Sequence, residues 1–184
     1  MREALYGVSF TDANNGTAVG WDGLILRTTN GGATWMNQTS GTAYSLQGVS
    51  FTDANTGTAV GEWGTILRTT NGGATWINQT SGRTNWLGGV SFTDANTGTA
   101  VGTGGTILRT TNGGATWTVQ TSGTARTLYG ASFTDANNGT AVGWYGTIVH
   151  TTNGGATWIG QTSGTRNHLG GVSFTDANYG TAVG

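Results

Sequence analysis

The side chains able to do acid–base or electrophilic chemistry are few: eight acids, seven arginines and two histidines in 184 residues. Five of the acids, Asp12, Asp53, Asp94, Asp135 and Asp176, recur every 41 residues in one Phe-Thr-Asp-Ala-Asn context. Side-chain-to-backbone bonding within a turn is a sufficient account of them. Glu3, Asp22 and Glu62 remain as the distinctive acids. Glycosidic hydrolysis needs two carboxylates in different electrostatic settings flanking the bond, and equivalent turn residues do not supply that difference. His150 and His168 are too few for a metal centre or a proton relay. The chain has no cysteine, so thiolate ligands and thiol nucleophiles are excluded. The expectation is a chain without catalytic residues, metal or cofactor.

Arg27, Arg68 and Arg109 share one position at the 41-residue spacing, and His150 takes it in the next copy. They are expected to be solvated or paired with the repeated aspartates, an arrangement worth only about 0–1 kcal/mol per pair at a surface. The alternative is an anionic groove.

Binding chemistry concentrates where the copies differ. Residues 46–86 and 87–127 differ at 9 of 41 positions, and six of the nine fall in two short segments. One holds Trp21-Asp22, Glu62-Trp63, Thr103-Gly104 and Trp144-Tyr145. The other holds Tyr44, then Arg83, Asn85 and Trp86, then Arg126, then Arg166, Asn167 and His168. Four of the eight tryptophans lie in these segments. Trp, Tyr, Arg and Asn dominate energetic anchors and adaptable paratopes. The candidate ligand-binding residues are therefore Trp21, Asp22, Tyr44, Glu62, Trp63, Arg83, Asn85, Trp86, Arg126, Trp144, Tyr145, Arg166, Asn167 and His168. A further variable position, Tyr6, Gln47, Gly88, Tyr129 and Gly170, lies close by in sequence. Drift in loops that tolerate change is the competing explanation; drift alone would scatter polar residues.

The elements that must carry these residues follow from the repeat. Phe10, Phe51, Phe92, Phe133 and Phe174 mark four full copies, 5–45, 46–86, 87–127 and 128–168, and a partial one, 169–184, within a single domain spanning 1–184. In the second copy, Leu46–Thr52 alternates as a strand and Asp53–Gly57 has turn chemistry. Thr58–Gly61 and Thr65–Thr70 are further strands, Asn71-Gly72-Gly73 is a hairpin signal, and Thr75–Thr80 is a fourth strand. Four short strands in about 40 residues describe a blade, so the expected fold is an all-β propeller of about five four-stranded antiparallel blades, the last incomplete. A β-solenoid is the rival. In an up-and-down blade the two variable segments emerge at one end, and the monotonous turns at the other.

The hairpin Thr28-Thr29-Asn30-Gly31-Gly32-Ala33-Thr34-Trp35, repeated at Thr69–Trp76, Thr110–Trp117 and Thr151–Trp158, resembles the Asp-box of bacterial neuraminidase repeats. With Val-Ser-Phe-Thr-Asp, Thr-Ala-Val-Gly and Gly-Thr-Ile-Leu-Arg-Thr-Thr around it, the chain most resembles photosystem II stability/assembly-factor-like propellers. The resemblance implies a structural role for the box and docking of a protein. Asn30, Asn71, Asn112 and Asn153 stand where the box has aspartate, which makes a cation site there less favourable. The box tryptophans Trp35, Trp76, Trp117 and Trp158 are expected to lock hairpin to blade. A sialidase would need an arginine cluster and a Tyr/Glu nucleophile pair, and no single blade carries that set.

Composition narrows the partners. A formal net charge of −1 favours neither nucleic acid nor an anionic membrane, and no apolar run reaches a membrane span. Met1-Arg2-Glu3-Ala4 is too short for a signal peptide. Compartment is open on the residues alone, and the resemblance favours an extracytoplasmic one (secreted, periplasmic or lumenal). The expected partner is a glycan, bound in lectin-like fashion by stacking on Trp and Tyr, or a protein. A purely structural or self-assembling repeat is the third class. Five copies of strands one and two stand against four of strands three and four. Closure as five blades, joining with other copies and continuation in a longer propeller are the three outcomes. Five inner positions per chain are favoured, with homo-oligomer formation through the incomplete terminal blade.

Overall fold

Alternating side chains and glycine-rich turns build the same unit four and a half times. The computed structural model describes residues 4–184, so Glu3 lies outside the described residues. The first blade comprises β1 (Leu5–Phe10), β2 (Gly16–Gly20), β3 (Ile25–Thr28) and β4 (Met36–Gln38). The second comprises β5 (Leu46–Phe51), β6 (Gly57–Gly61), β7 (Ile66–Thr69) and β8 (Ile77–Gln79). The third holds β9 (Leu87–Phe92), β10 (Gly98–Gly102), β11 (Ile107–Thr110) and β12 (Thr118–Gln120). The fourth holds β13 (Leu128–Phe133), β14 (Gly139–Gly143), β15 (Ile148–Thr151) and β16 (Ile159–Gln161). The fifth has two strands, β17 (Gly171–Phe174) and β18 (Gly180–Val183). Every sheet is an antiparallel meander in sequence order. The fold is an all-β propeller whose last blade is incomplete.

The turns are closed by their own side chains. Asp53 Oδ1 accepts the amides of Asn55 and Thr56 at 2.7 and 2.9 Å, and Asp12, Asp94, Asp135 and Asp176 repeat the arrangement. In the box hairpin, Asn71 Oδ1 accepts the Thr75 amide at 3.0 Å and its Nδ2 donates to Thr75 Oγ1 at 2.9 Å. Asparagine thus supplies an acceptor and a donor in one turn, which an ionised aspartate does not.

Each blade has a forward face, toward the next blade, and a rear face, toward the one before. Val19 and Ile25 on the forward face of the first blade pack with Leu46, Val49, Phe51, Ala59 and Leu67 on the rear face of the second. The same cluster forms between the second and third blades and between the third and fourth. A β-bulge between Leu46 and Gly48, and at the matching point of β1, β9 and β13, brings the leucine onto the rear face. Inner strands are apolar on both sides because they are covered on both sides.

Three polar devices reinforce this packing. The Phe51 amide donates to Ser9 Oγ at 3.1 Å, and the pairs Ser50–Phe92, Ser91–Phe133 and Ser132–Phe174 repeat the bond. The Trp76 ring stands edge-on to Phe51 at 5.9 Å, and its Nε1 donates to Gln38 Oε1 of the first blade at 3.2 Å. Trp158 does the same with Phe133 and Gln120.

The third device corrects the expectation for the arginines, which are neither solvated nor ion-paired. Arg27, Arg68 and Arg109 are buried. Arg27 donates to Thr17 Oγ1 at 3.0 Å within its blade and to the Ala54 carbonyl of the next at 2.7 Å, and its Cζ lies 5.1 Å from the Phe51 ring centre. Arg109 repeats this on Thr99, Ala136 and Phe133. Burial pushes each guanidinium pKa down, opposed by Asp12, Asp53 and Asp94 in turn. The reason is spatial: the carbonyl and ring that receive the arginine come from the following repeat.

The arc does not close on itself. Leu5, Val8 and Phe10 on the rear of the first blade are exposed, as is Val183 on the forward side of the fifth.

Candidate recognition face

A three-residue 3-10 turn joins the second and third strands of each complete blade: Trp21–Gly23, Glu62–Gly64, Thr103–Gly105 and Trp144–Gly146. In each, the middle residue adopts a left-handed backbone. Asp22, Trp63 and Tyr145 have φ of +55°, +54° and +63°, and Gly104 fills the same place at +66°. Asp accepts this conformation through local bonding; a tryptophan or tyrosine there is uncommon and costs backbone energy. Trp63 is 66 % exposed.

The linkers between blades lie against these turns at the same end of the sheets. Tyr44 meets Trp63 at 6.5 Å between ring centres. Arg126 occupies the place of Tyr44 in the fourth blade; its Cζ lies 5.1 Å over the Tyr145 ring and its Nη1 donates to the Tyr145 carbonyl at 3.2 Å. Asn85 Nδ2 reaches the Thr103 carbonyl at 3.4 Å, and the Ser45 amide donates to Glu62 at 3.2 Å. Tyr44, Asn85 and Arg126 thus each pair with the turn of the repeat that follows, using a different chemistry each time.

Two groups result. In the first, Tyr44, Trp63, Arg83 and Trp76 line a groove of about 480 Å³. Arg83 and Asn85 also line its neighbour, about 570 Å³, over the third blade. In the second group, four rings touch in series: Trp86 and Tyr129 at 6.0 Å, Tyr129 and His168 at 6.4 Å, His168 and Trp144 at 5.7 Å. The Tyr145 amide donates to His168 Nδ1 at 3.3 Å, tying the fifth blade's linker to the fourth blade's turn. Arg166 edges a separate shallow groove, and Asn167 is exposed beside it. Trp21 and Asp22 are exposed on the first blade, outside both groups.

Tyr129 is central to the second group, yet it does not stand among the fourteen candidates. Its signal is the variable position at the start of strand one; at the equivalent Gly88 a Cβ would meet the Trp86 ring at 2.5 Å, whereas at Gly170 it would meet nothing within 4 Å. Glu62 proves to bond a backbone amide, a structural task. The opposite end of the arc holds the repeated aspartates, and the carboxyls of Asp12, Asp53, Asp94 and Asp135 are held below the ordinary value. Asn15 and Asn138 side chains are the main cause at Asp12 and Asp135, and the Asn55 and Asn96 amides at Asp53 and Asp94. Among the described residues no group of three or more His, Cys, Asp or Glu side chains is placed to hold a metal.

Repeated blades, an asparagine-closed box hairpin and one aromatic loop face define a binding and scaffolding propeller. The family model of the photosynthesis system II assembly factor YCF48 matches residues 1–84 and 79–160. The chain belongs to that family, which is one of non-catalytic assembly factors. No curated protein sequence matches it. Among solved structures, it is similar to "YCF48 bound to D1 peptide" at 23 % identity and a TM-score of 0.75, over 94 % of this chain and 57 % of that one. It spans little more than half the length of that relative. YCF48 from Cyanidioschyzon merolae is similar at 16 % identity and a TM-score of 0.54, over 98 % and 92 % of the two chains. An ancestral GH74 enzyme is similar at 16 % identity and 0.70, over 92 % of this chain and 27 % of that one. These likenesses concern the fold, which hosts unrelated functions.

Proposed function

We propose that the turn-and-linker face docks an extended protein segment, so that the chain acts as a scaffold during assembly of a larger complex. The observation that carries this reading is the left-handed backbone of Trp63 and Tyr145. Gly104 shows that the same turn forms in this chain without a side chain. Drift would favour that cheaper residue, whereas two large exposed aromatics held at a backbone cost indicate selection for what they touch. The grooves under Tyr44, Trp63 and Arg83 suit a segment offering apolar side chains and backbone carbonyls. Family membership supports the reading, as does a related propeller described as bound to a D1 peptide.

Family membership also supports an extracytoplasmic placement, and no helix among the described residues is long and apolar enough to cross a membrane. The test is calorimetric titration with the D1 peptide, alongside a glycan array. Peptide binding that disappears in the Trp63→Ala, Trp86→Ala, Trp144→Ala triple variant supports protein docking. Undiminished binding by that variant, or binding to glycans alone, overturns it.

A further inference from the structure

We propose that Asn30, Asn71, Asn112 and Asn153 are deamidation sites gated by the box hairpin: closed, the hairpin withholds both reactants, and each opening exposes an asparagine to conversion. The sequence contains six Asn-Gly pairs, and these four stand in the box. The pair is labile because glycine has no Cβ to keep its nitrogen away from the asparagine Cγ. Once the Gly72 nitrogen has given its proton to solvent hydroxide, it can bond to Asn71 Cγ. The Cγ–Nδ2 bond then breaks, Nδ2 takes a proton from water and leaves as ammonia, and a cyclic imide remains. Water opens the imide at either carbonyl, giving aspartate or isoaspartate, whose main chain runs through the former side chain.

The closed hairpin engages both partners of that reaction. Asn71 Oδ1 accepts the Thr75 amide and the Thr69 hydroxyl, each at 3.0 Å, while Nδ2 donates to Thr75 Oγ1 at 2.9 Å. The Gly72 amide, the nucleophile, donates to the Asn55 carbonyl at 2.9 Å. That bond crosses to the neighbouring turn, where Asp53 Oδ1 fixes the amides of Asn55 and Thr56. The set recurs in every complete blade. Asn30, Asn112 and Asn153 each hold the two equivalent threonines. The Gly31, Gly113 and Gly154 amides donate to the carbonyls of Asn14, Asn96 and Asn137 at 2.9, 2.9 and 3.0 Å. Imide formation requires the glycine amide to leave its carbonyl and the carboxamide to turn from both threonines. Those bonds are the closure of the hairpin itself, so conversion follows the population of the opened hairpin.

The two products differ in consequence. Aspartate keeps the acceptor for the Thr75 amide and loses the donor to Thr75 Oγ1. Isoaspartate adds a methylene to the main chain just before Gly72 and Gly73, which complete the turn at φ of +67° and +85°. The added length moves the Gly72 amide off the Asn55 carbonyl, so an isoaspartate hairpin does not close again. Opening is thereby recorded covalently, blade by blade.

The experiment is peptide mass mapping after incubation in mildly alkaline buffer, on the wild-type chain folded and in urea, and on folded Thr75→Val and Asp53→Ala. Folded wild type is expected to convert each box asparagine at least about tenfold more slowly than the denatured chain, equivalent to an opening free energy of about 1.4 kcal/mol. Thr75→Val removes the acceptor of Asn71 Nδ2, and Asp53→Ala frees the turn that presents the Asn55 carbonyl. Both should speed conversion of Asn71 several-fold while Asn30, Asn112 and Asn153 keep their wild-type rates. The three unaltered boxes are the internal control, because a variant that merely destabilises the whole chain speeds all four. Equal rates in folded and denatured wild type overturn the proposal. So does an Asn71 rate that neither substitution moves, or a rise shared by all four boxes.

Discussion

Trp63 and Gly104 occupy the same turn with nearly the same backbone, φ +54° and +66°, one carrying a large exposed ring and the other nothing. The left-handed region disfavours a side chain by about 1–2 kcal/mol. Trp63 recovers part of that through Tyr44. Trp63→Gly is therefore expected to raise stability by about 0.5–1 kcal/mol while weakening ligand binding. Denaturant midpoints read the first effect and titration the second. A variant that loses stability as well as binding would show that Trp63 supports the turn instead of loading it.

Arg109 is the clearest stability determinant. Removing it leaves the Ala136 carbonyl and Thr99 hydroxyl without their donor and uncovers the Phe133 ring. A charged hydrogen bond contributes about 1.5–3 kcal/mol and the cation–π contact about 0.5–2 kcal/mol. Arg109→Ala is expected to lower unfolding free energy by about 2–4 kcal/mol. Lysine recovers only part of this, since it lacks the planar fork that serves both oxygens.

His150 stands where the other blades place arginine, and its Nδ1 reaches only Thr140 Oγ1, at 2.9 Å, within its own blade. The fifth blade therefore lacks the clamp that holds the second, third and fourth. His150→Arg should reach the Ala177 carbonyl and the Phe174 ring, as Arg109 reaches Ala136 and Phe133. The expected gain is about 1 kcal/mol, seen as slower hydrogen exchange across Gly171–Val183. Unchanged exchange there would indicate that the clamp needs the missing outer strands.

The blades were legible because repetition multiplies each weak signal. Leu46–Phe51 alternates like many strands, but five copies at a fixed spacing, with four strands in each complete copy, favour a propeller over the rival β-solenoid. The segregation of Trp63, Trp144 and Tyr145 onto one end followed from meander parity alone. The arginines were not legible. Arg27 sits on an alternating strand as an exposed residue would, and the groups that bury it, Ala54 and Phe51, lie in the next repeat. Tyr129 was half legible: its variability marked the position, but its contacts with Trp86 and His168 arise from three different blades.

Acid should loosen the turn end of the arc first. Asp12, Asp53, Asp94 and Asp135 have carboxyl pKa values lowered by hydrogen bonds to asparagine and threonine. A group whose folded pKa is depressed adds stability that is present above its unfolded value, about 3.9, and is lost as pH falls through the folded value. Stability is expected to be flat above about pH 5 and to decline below about pH 4. Asp94→Asn should make that decline shallower, because it removes one titrating group while keeping an acceptor for the Asn96 amide. A decline beginning near neutral pH would mean that these carboxylates do not set the acid limit of stability.

Gly89 and Gly171 hold the same position in strand one and should respond oppositely to substitution. A Cβ at Gly89 would lie 2.8 Å from the Tyr129 carbonyl oxygen and 3.0 Å from the Gly130 Cα, both backbone atoms of the next blade. Neither yields without moving the blade, so Gly89→Ala forces the third and fourth inner strands apart and exposes part of the Leu128–Phe133 cluster. The expected cost is about 2–3 kcal/mol, in the range of overpacking in a dense core. At Gly171 the nearest atom is the Val183 Cγ2 at 3.6 Å, an ordinary contact. Gly171→Ala should leave single-chain stability within about 0.5 kcal/mol of wild type. Chemical denaturation of the two variants at low micromolar concentration makes the comparison, and equal costs would mean that glycine serves the strand's own backbone and not the approach of its neighbour.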